Sequence, residues 1–241
     1  MHIPKAAGTS FRQVLEREYR NKLVSVYDPL EVENGPQIKD AQAYVGHFRF
    51  GFHEKCGINS GFKYCGFIRE PVSHAWSHFH YLKSLNRLPI EIQGWEQFLQ
   101  HKWGYNLQLR FLVGHDNLGD RAFEMLEQAK ANIDKYFLLL APVEEFELGL
   151  LSFSAALNWK RWPVYHPANF QSTKPIIGPE EKALAQEVLA PEIGLYSWTL
   201  NHHFKEKIKH LKPKPSPAAF RVLNLMYKHL DPLYILLKKL K

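Results

Sequence analysis

The stretch that most constrains the fold stands at the start of the chain, where residues 2–11 read HIPKAAGTSF. A lysine, small residues and two hydroxyls lead into a run whose apolar residues recur at helical spacing, at Phe11, Val14, Leu15 and Tyr19. This spacing predicts a helix that begins near Thr9 or Ser10. The unpaired N–H groups and partial positive charge of a helix N-terminus, together with Lys5, favour a bound phosphate or sulfate.

The order of residues in this loop differs from that of the usual nucleotide-triphosphate loop. The pattern G-x-x-x-x-G-K-[ST] places the lysine after the glycine, whereas here Lys5 precedes Gly8. The sequence also offers no clear magnesium-binding acid near the loop. A P-loop-like kinase that uses ATP is therefore the less favoured of two enzymatic interpretations.

A phosphate loop in a doubly wound fold normally follows a buried strand. Here only residues 1–3 precede Pro4. A misassigned start or a truncated chain would explain this. If the start is native, we expect a shortened central strand.

Four short apolar runs predict the strands of an α/β core. They cover residues 23–27, 43–48, 62–68 and 136–141. Ligands of open α/β sheets gather at the carboxyl ends of the strands. The second run brings His47 to such an end, and the third run ends at Arg69.

The third run leads into a second junction between a strand and a helix. Pro71 suits the first turn of a helix, and an apolar stripe continues it at Val72, Ala75, Trp76, Phe79 and Leu82. Arg69 stands at the junction, and Ser77 lies eight residues further on. Arginine suits a bidentate phosphate contact and a serine hydroxyl adds direction, while an ordinary helix start with a solvent-facing arginine is the alternative.

Both junctions resemble motifs of the carbohydrate sulfotransferases that use PAPS (3′-phosphoadenosine 5′-phosphosulfate), such as heparan sulfate 2-O- and 6-O-sulfotransferases and their bacterial relatives. Residues 2–10 fit the form H-I-P-K-[TA]-[GA]-G-T-S. The form R-[DE]-P-x-x-R-x-x-S-x-[YF]-x-[YF] is matched at Arg69, Pro71, Ser77, Phe79 and Tyr81. His74 stands in place of its second arginine. Residues 106–112 resemble a further segment, N-x-Q-x-R-[YF]-L.

The resemblance implies a P-loop-NTPase-like sulfotransferase fold, in which helices flank both faces of a parallel central sheet. It implies in-line transfer of the sulfuryl group of PAPS to a carbohydrate hydroxyl, with no metal. Lys5 would neutralise charge on the oxygen that bridges to the leaving nucleotide. The implied cofactor-binding residues are Lys5, Ala6, Ala7, Gly8, Thr9 and Ser10 for the 5′ end, Arg69 and Ser77 for the 3′-phosphate, and Thr173 and Lys174 on a late loop. A plain surface loop is the alternative for the last two.

The acceptor hydroxyl needs a base to remove its proton, and such a base contributes about 10²–10⁴-fold to the rate. Gly46 and His47 resemble the family segment that bears the catalytic histidine, so His47 is the candidate base and His53 is the second choice. A neutral imidazole suits this task near pH 7. For either histidine, a structural or surface role is the ordinary alternative.

Cationic and aromatic residues near these segments suit an acidic glycan. We select His53, Arg49 and Lys83 as candidate substrate-binding residues, while Lys55 and Arg87 lie nearby in sequence. Three tryptophans could stack on sugars, although core packing is their commoner role; they are Trp76, Trp95 and Trp103.

A metal site formed by His74 and His78 is the less favoured interpretation of the histidine-rich helix. The two residues are four apart and would share a helical face, which can suit zinc. No acidic residue completes an H-E-x-x-H pattern there. Contact with the cofactor or the acceptor is favoured instead, and we predict no metal.

The net charge of +7 is concentrated in the tail. Residues 205–241 hold ten Lys or Arg and two acids, a net of +8, which leaves 21 basic and 22 acidic residues, a net of −1, in the rest. A Lys- and Pro-rich linker at 212–217 divides a sulfotransferase domain, 1–211, from a basic amphipathic helix, 218–241. Such a helix suits the surface of an anionic membrane, with packing on the core or contact with a partner as alternatives.

The remaining expectations concern compartment and partners. No run of about 18 apolar residues and no signal-peptide pattern is present, and two cysteines fit a reducing compartment, with idle thiols favoured over a Cys56–Cys65 disulfide. We expect a cytoplasmic enzyme, peripheral to the membrane at most, with a glycan or other hydroxylated acceptor and no nucleic acid. A PAPS- or glycan-binding module without activity is the non-enzymatic alternative, favoured by the short start and by His74.

Overall fold

The computed structural model describes residues 1–34, 40–115, 121–167, 175–211 and 216–239, with side chains to residue 229. Within these ranges the chain is mixed α/β, as predicted, with short parallel strands among many helices. The strands are β1 Leu23–Val26, β2 Ala43–Gly46, β3 Tyr64–Ile68 and β4 Phe137–Pro142. The helices are α1 Gly8–Tyr19, α2 Pro29–Asn34, α3 Phe52–Lys55, α4 Pro71–Ser84, α5 Trp95–Gln100, α6 Leu107–Val113, α7 Ala122–Tyr136, α8 Phe146–Ala156, α9 Pro179–Val188, α10 Ala190–Trp198, α11 Lys205–His210 and α12 Pro217–Lys239.

The strands form two parallel pairs, β1 with β2 and β3 with β4, instead of the single central sheet that we expected. Residues 1–3 lie between the two pairs. The Met1 ammonium donates to the Cys65 carbonyl of β3 at 2.9 Å, and the His2 N–H donates to the Gly46 carbonyl of β2 at 2.8 Å. Because each of these residues bonds to only one neighbouring strand, the segment bridges the pairs without forming a continuous ladder. Residues 1–3 stand where we expected a short central strand, but they form no strand.

Two helices cover the face of β3 and β4 from which Phe67 projects. The Phe11 ring of α1 lies 5.2 Å from the Phe67 ring and 5.1 Å from the Phe153 ring of α8. A Cβ atom on Gly149 would lie 2.7 Å from the Phe67 ring, so glycine there allows α8 to approach the sheet closely. Helix α1 therefore starts from a packed position. Its first residue, Gly8, lies within the predicted anion loop, residues 2–10.

The helical stretch from α10 to α11 is irregular in its middle. A π-helical turn, Thr199–Phe204, separates α10 from α11. The fully buried His203 ring lies in this turn, and its Nε2 accepts a hydrogen bond from the Leu140 N–H of β4 at 3.2 Å. The π-helical turn thus coincides with the contact between His203 and β4.

Helix α12 packs on the core through its first turns. Phe220 is fully buried, Asn224 accepts a hydrogen bond from the Tyr165 N–H at 2.8 Å, and Arg221 pairs with Glu147 of α8. Residues 212–215 of the predicted linker lie outside the described residues. No helix in the described part of the chain is long and apolar enough to cross a membrane.

Candidate functional site

The loop before α1 has a strained backbone. Lys5 and Ala7 both adopt left-handed conformations, with φ of 62° and 57°, although neither is glycine. Each such residue costs on the order of 1–3 kcal/mol, and such strain often accompanies binding sites. Backbone that combines left- and right-handed residues occurs in anion-binding nests, although the Ala6 N–H here donates to the Ile3 carbonyl at 3.2 Å. The sequence predicted an anion-binding loop at residues 2–10 but did not predict its left-handed residues.

Glycine is required at position 8 because His2 packs directly against it. A Cβ atom at Gly8 would lie 1.6 Å from the His2 ring. The His2 ring also lies 4.4 Å from the His47 ring, and its Nδ1 is 2.9 Å from the Tyr27 hydroxyl. The first turn of α1 is thereby fixed against the residue that follows β2.

The second predicted motif holds the loop from the other side. His74 Nε2 lies 2.7 Å from the Pro4 carbonyl, and Arg69 Nη1 donates to the Lys5 carbonyl at 3.3 Å. The Lys5 ammonium lies 3.9 Å from the centroid of the Tyr81 ring. The structure therefore brings Lys5, Arg69 and the face of α4 together, as the two motifs predicted.

Helix α4 starts at this junction with a well-formed cap. The Glu70 carboxylate accepts hydrogen bonds from the Val72 and Ser73 N–H groups at 3.1 and 2.7 Å, and Pro71 occupies the first turn. Ser77 is buried two turns into the helix. Burial lowers the pKa of Arg69 from its ordinary 12.5, with Glu144 and Glu70 opposing the shift.

His47 follows β2 directly, and its hydrogen bond identifies which nitrogen can act as a base. Its Nδ1 lies 2.8 Å from the His2 carbonyl, and because a carbonyl only accepts, Nδ1 must carry the proton. In the neutral ring Nε2 then holds a lone pair. Burial lowers the pKa of His47 from 6.5, although the bond to His2 opposes this shift. The ring is therefore neutral near pH 7, as a general base requires.

A cationic cavity of about 780 Å³ opens beside the loop. Its lining includes Pro4, Arg49, His78, Lys102, Trp103, Tyr105 and Arg110. His78 Nδ1 donates to the Trp103 carbonyl at 3.0 Å, which leaves the lone pair on Nε2. Burial lowers the pKa of His78 to about 4, so this ring is also neutral near pH 7.

Sequence reasoning selected only Arg49 among the cavity's cationic residues and did not select Lys102 or Arg110. The signal for Arg110 was available, since it is the arginine of the N-x-Q-x-R segment. Trp103 lines the cavity, as its interpretation as a sugar contact requires. Trp95 instead is buried in a core cluster with Phe79 and Phe98, and Trp76 donates from its indole to the Pro175 carbonyl.

Several predicted site residues lie away from this edge or make other contacts. Lys83 is exposed in the last turn of α4, twelve residues or about 18 Å along the helix from Pro71. The Ser10 hydroxyl donates to the His166 carbonyl at 3.4 Å, and Ala6 is buried in the core cluster. Thr173 and Lys174 lie outside the described residues.

His53 lies at the opposite end of β3 from Arg69. Its Nδ1 is 2.9 Å from the hydroxyl of Tyr64, the first residue of β3, and its ring stacks on Phe62 at 4.1 Å. Four residue steps of about 3.3 Å separate the ends of this strand, or about 13 Å. The structure therefore does not bring His53 together with His47 and Lys5, because residues 51–56 turn away from the end of β2 to form α3.

The histidine-rich face of α4 shows no arrangement for a metal. Among the described residues, no group of three or more His, Cys, Asp or Glu side chains is placed to hold a metal ion. His74 is buried, and burial lowers its pKa to about 3. It therefore adds no positive charge in place of the family's second arginine, and it supports the Pro4 carbonyl instead.

Comparison with known proteins does not identify the chain. No protein-family model matches the sequence, and no curated protein matches it with significance. The function proposed for the chain therefore rests on the geometry of the site.

Proposed function

We propose that the chain is a PAPS-dependent sulfotransferase with a P-loop-NTPase-like fold, which transfers the sulfuryl group of PAPS to a hydroxyl of a carbohydrate acceptor. The main support for this proposal is that three groups come together at one edge of the fold. At this edge lie the carboxyl ends of β2 and β3 and the end of residues 1–3. These groups are the strained loop with Lys5, the Arg69 guanidinium bonded to that loop, and His47 with its Nε2 lone pair.

The roles follow from the charges in the reaction. PAPS is strongly anionic, so Lys5 and the N–H groups of the loop would screen its 5′ end, and Arg69 with Ser77 would hold the 3′-phosphate. Sulfuryl transfer, like phosphoryl transfer, needs positioning and charge stabilisation more than covalent help from the protein. His47 Nε2 would take the proton of the acceptor hydroxyl as the sulfur–oxygen bond forms and the nucleotide leaves.

The cationic cavity is our proposed acceptor site. Arg49, Lys102 and Arg110 supply positive charge, and the Trp103 and Tyr105 rings supply flat faces for a sugar. Pro4 and His78 join this cavity to the loop and to α4. We expect an acceptor with a carboxylate or sulfate to react with a lower KM than its neutral counterpart.

The direct test is transfer of labelled sulfate from PAPS to a panel of charged and neutral glycans. Wild-type protein should transfer, and His47→Ala and Lys5→Ala should each lose about 10²–10⁴-fold in kcat. Exposed residues of the same types provide matched controls, His210→Ala on α11 and Lys63→Ala before β3, and both should keep wild-type rates. If the Lys5→Ala variant transfers sulfate as fast as the wild type, the proposed mechanism is wrong.

Calorimetry separates this proposal from its alternatives. The sulfotransferase should bind PAP, the product nucleotide with both phosphates, and should not bind ATP measurably. ATP binding without PAP binding would favour the kinase. PAP binding without transfer to any acceptor would favour the inactive module.

We also propose peripheral contact of α12 with an anionic membrane surface, in a reducing, cytoplasmic compartment. Val222, Leu225 and Met226 are 60%, 57% and 53% exposed on this basic helix, and Cys56 and Cys65 are free thiols. Deleting the helix would also remove the buried Phe220, so Leu225→Glu with Val222→Glu is the cleaner test. Co-sedimentation with anionic vesicles should fall about tenfold, while Phe123→Glu, at an exposed apolar residue of α7, should leave it unchanged. Equal co-sedimentation of all variants would discard the membrane contact.

A further inference from the structure

Beneath the anion loop lies a group of polar side chains that the proposed chemistry does not use. They are His74 of α4, Gln108 of α6 and Glu192 of α10, each at most 1% exposed. Buried polar groups of this kind are stable only when their hydrogen bonds are satisfied. Their hydrogen bonds lead to the two segments that form the proposed nucleotide site.

Gln108 holds the backbone of Arg69. The Arg69 N–H donates to Gln108 Oε1 at 2.8 Å, and Gln108 Nε2 donates to the Arg69 carbonyl at 2.9 Å. The amide thus pairs with Arg69 as a neighbouring strand would, and it extends the hydrogen bonding of β3 by one residue beyond Ile68. This contact fixes the backbone position from which the Arg69 side chain extends.

Glu192 holds Gln108 in turn. Its Oε1 accepts from Gln108 Nε2 at 2.8 Å, and its Oε2 accepts from the Gln108 and Leu109 N–H groups at 2.9 and 3.3 Å. The Glu192 N–H donates to Asn106 Oδ1 at 3.1 Å. The start of α6 is therefore fixed to α10 by a carboxyl group that lies wholly inside the protein.

His74 connects this group to the loop. Because its Nε2 donates to the Pro4 carbonyl, the neutral ring has a lone pair on Nδ1, which lies 4.0 Å from Glu192 Oε1. This distance is too long for a hydrogen bond, so the two groups are in contact without sharing a proton. An ionised carboxylate would nevertheless face the Nδ1 lone pair with a negative charge, so a proton on Glu192 favours the contact. Pro4 is the residue before the strained Lys5, and the position of its carbonyl helps to set the shape of the loop.

Burial of both groups favours their neutral forms, with the proton of the pair on the Glu192 carboxyl. Burial raises the pKa of Glu192 to about 7, although the Gln108 and Leu109 bonds oppose it, and burial lowers the pKa of His74 to about 3. The pair is therefore neutral below about pH 7 and is not a salt bridge. The charged or titratable groups that face it are Lys5 of the loop, Arg69 after β3, His78 of α4 and Arg110 of α6.

We propose that Glu192, Gln108 and His74 form one positioning network, which holds the strained loop and Arg69 in the arrangement that binds a bisphosphorylated nucleotide, and that a proton on Glu192 keeps it intact. The ligand named here rests on the proposed function. The support that the network gives to the loop does not depend on that function, since it follows from the contacts alone.

Hydrogen exchange of the Ala6 and Arg69 amides tests the network without any ligand. In the wild type, protection corrected for intrinsic rates should fall at least tenfold between about pH 6 and about pH 8, on either side of the Glu192 pKa. Glu192→Gln, which is neutral at both pH values, should abolish this change. His74→Phe should lower protection at both pH values, whereas His203→Phe, at a buried histidine bonded to β4, should lower it no more than its loss of global stability requires.

Calorimetry with PAP then separates the two proposals. His74→Phe should weaken PAP binding at least tenfold, with the affinity of His203→Phe unchanged. If loop protection responds as predicted but the wild type does not bind PAP, the network stands and the sulfotransferase proposal fails. If a change with pH persists in Glu192→Gln, or if His74→Phe leaves the loop protected, the network proposal is overturned whatever PAP does.

Discussion

A histidine lies near each end of β3, and the two ends differ in how their polar groups are satisfied. At the amino end, His53 bonds to the Tyr64 hydroxyl and stacks on Phe62, beside a cavity of about 440 Å³ with a largely apolar lining. At the carboxyl end, Arg69 bonds to the Lys5 carbonyl and to Gln108, and His47 bonds to the His2 carbonyl.

The difference shows why a histidine beside a strand is not enough to predict chemistry. Rings at the amino end satisfy one another, so their contacts are complete within the fold. Side chains at the carboxyl end instead hold backbone carbonyls of a strained loop, and this leaves cations and the His47 lone pair at the edge where ligands of α/β proteins bind. Three predictions test this distinction, in order of decreasing expected effect.

The first prediction compares two glycines, one at each end. Gly8→Ala would force the His2 ring away from its place beside His47, and a displacement of about 1 Å at a catalytic group can cost about 10²-fold. We expect PAP affinity or kcat of Gly8→Ala to fall by at least about 10²-fold. Gly61→Ala, before the amino end, has open space for its Cβ but a φ of +73°, so it should cost about 1–2 kcal/mol of stability and leave kcat unchanged.

Equal losses of kcat in the two glycine variants would contradict the comparison. Calorimetry with PAP and urea unfolding of both proteins separate an effect on the site from an effect on stability. A Gly8→Ala protein that folds normally and binds PAP like the wild type would show that the contact with His2 does not shape the loop.

The second prediction concerns the pH dependence of transfer. A general base acts when neutral, so kcat should fall tenfold per pH unit below the pKa of His47 and reach a plateau above it. Burial lowers the pKa of His47 in the free protein, so an NMR titration of its ring without nucleotide should have a midpoint below the 6.5 of an ordinary histidine. The kcat profile at saturating PAPS reports the pKa in the complex, where the bound anion opposes this shift, so its midpoint should lie above that of the free protein. A kcat profile without a fall at acidic pH, or with a midpoint below that of free His47, would contradict the assignment of His47.

The comparison also shows what the sequence could predict. The loop at residues 2–10, the strand that ends at Ile68 and the helix that starts at Pro71 were predictable because glycine, proline and apolar spacing act locally. The left-handed Lys5 and Ala7 were not, because they depend on the Pro4 and Lys5 carbonyls being held by His74 and Arg69, more than 60 residues away.

The errors had the same physical origin. His53 lies six residues after His47, and this short separation suggested a shared site, but α3 carries it to the other end of β3. The role of His74 could not be predicted from its motif position because its burial and its contact with Glu192 arise from the packing of α10 on α4. Lys102 and Arg110 line one cavity across the turn that joins α5 to α6, in which the Gly104 and Tyr105 N–H groups donate to the His101 carbonyl.

The smallest effect is expected from His53→Ala. The Tyr64 hydroxyl would lose its contact with the imidazole and keep the backbone N–H of residue 53 at 3.2 Å, and Phe62 would lose its stacked ring. The free energy of unfolding should fall by about 1–2 kcal/mol while kcat changes less than twofold. Urea unfolding and the transfer assay measure the two quantities on the same protein. A tenfold loss of transfer with unchanged stability would mean that the amino end of β3 contributes to the acceptor site after all, and the distinction between the two ends would have to be abandoned.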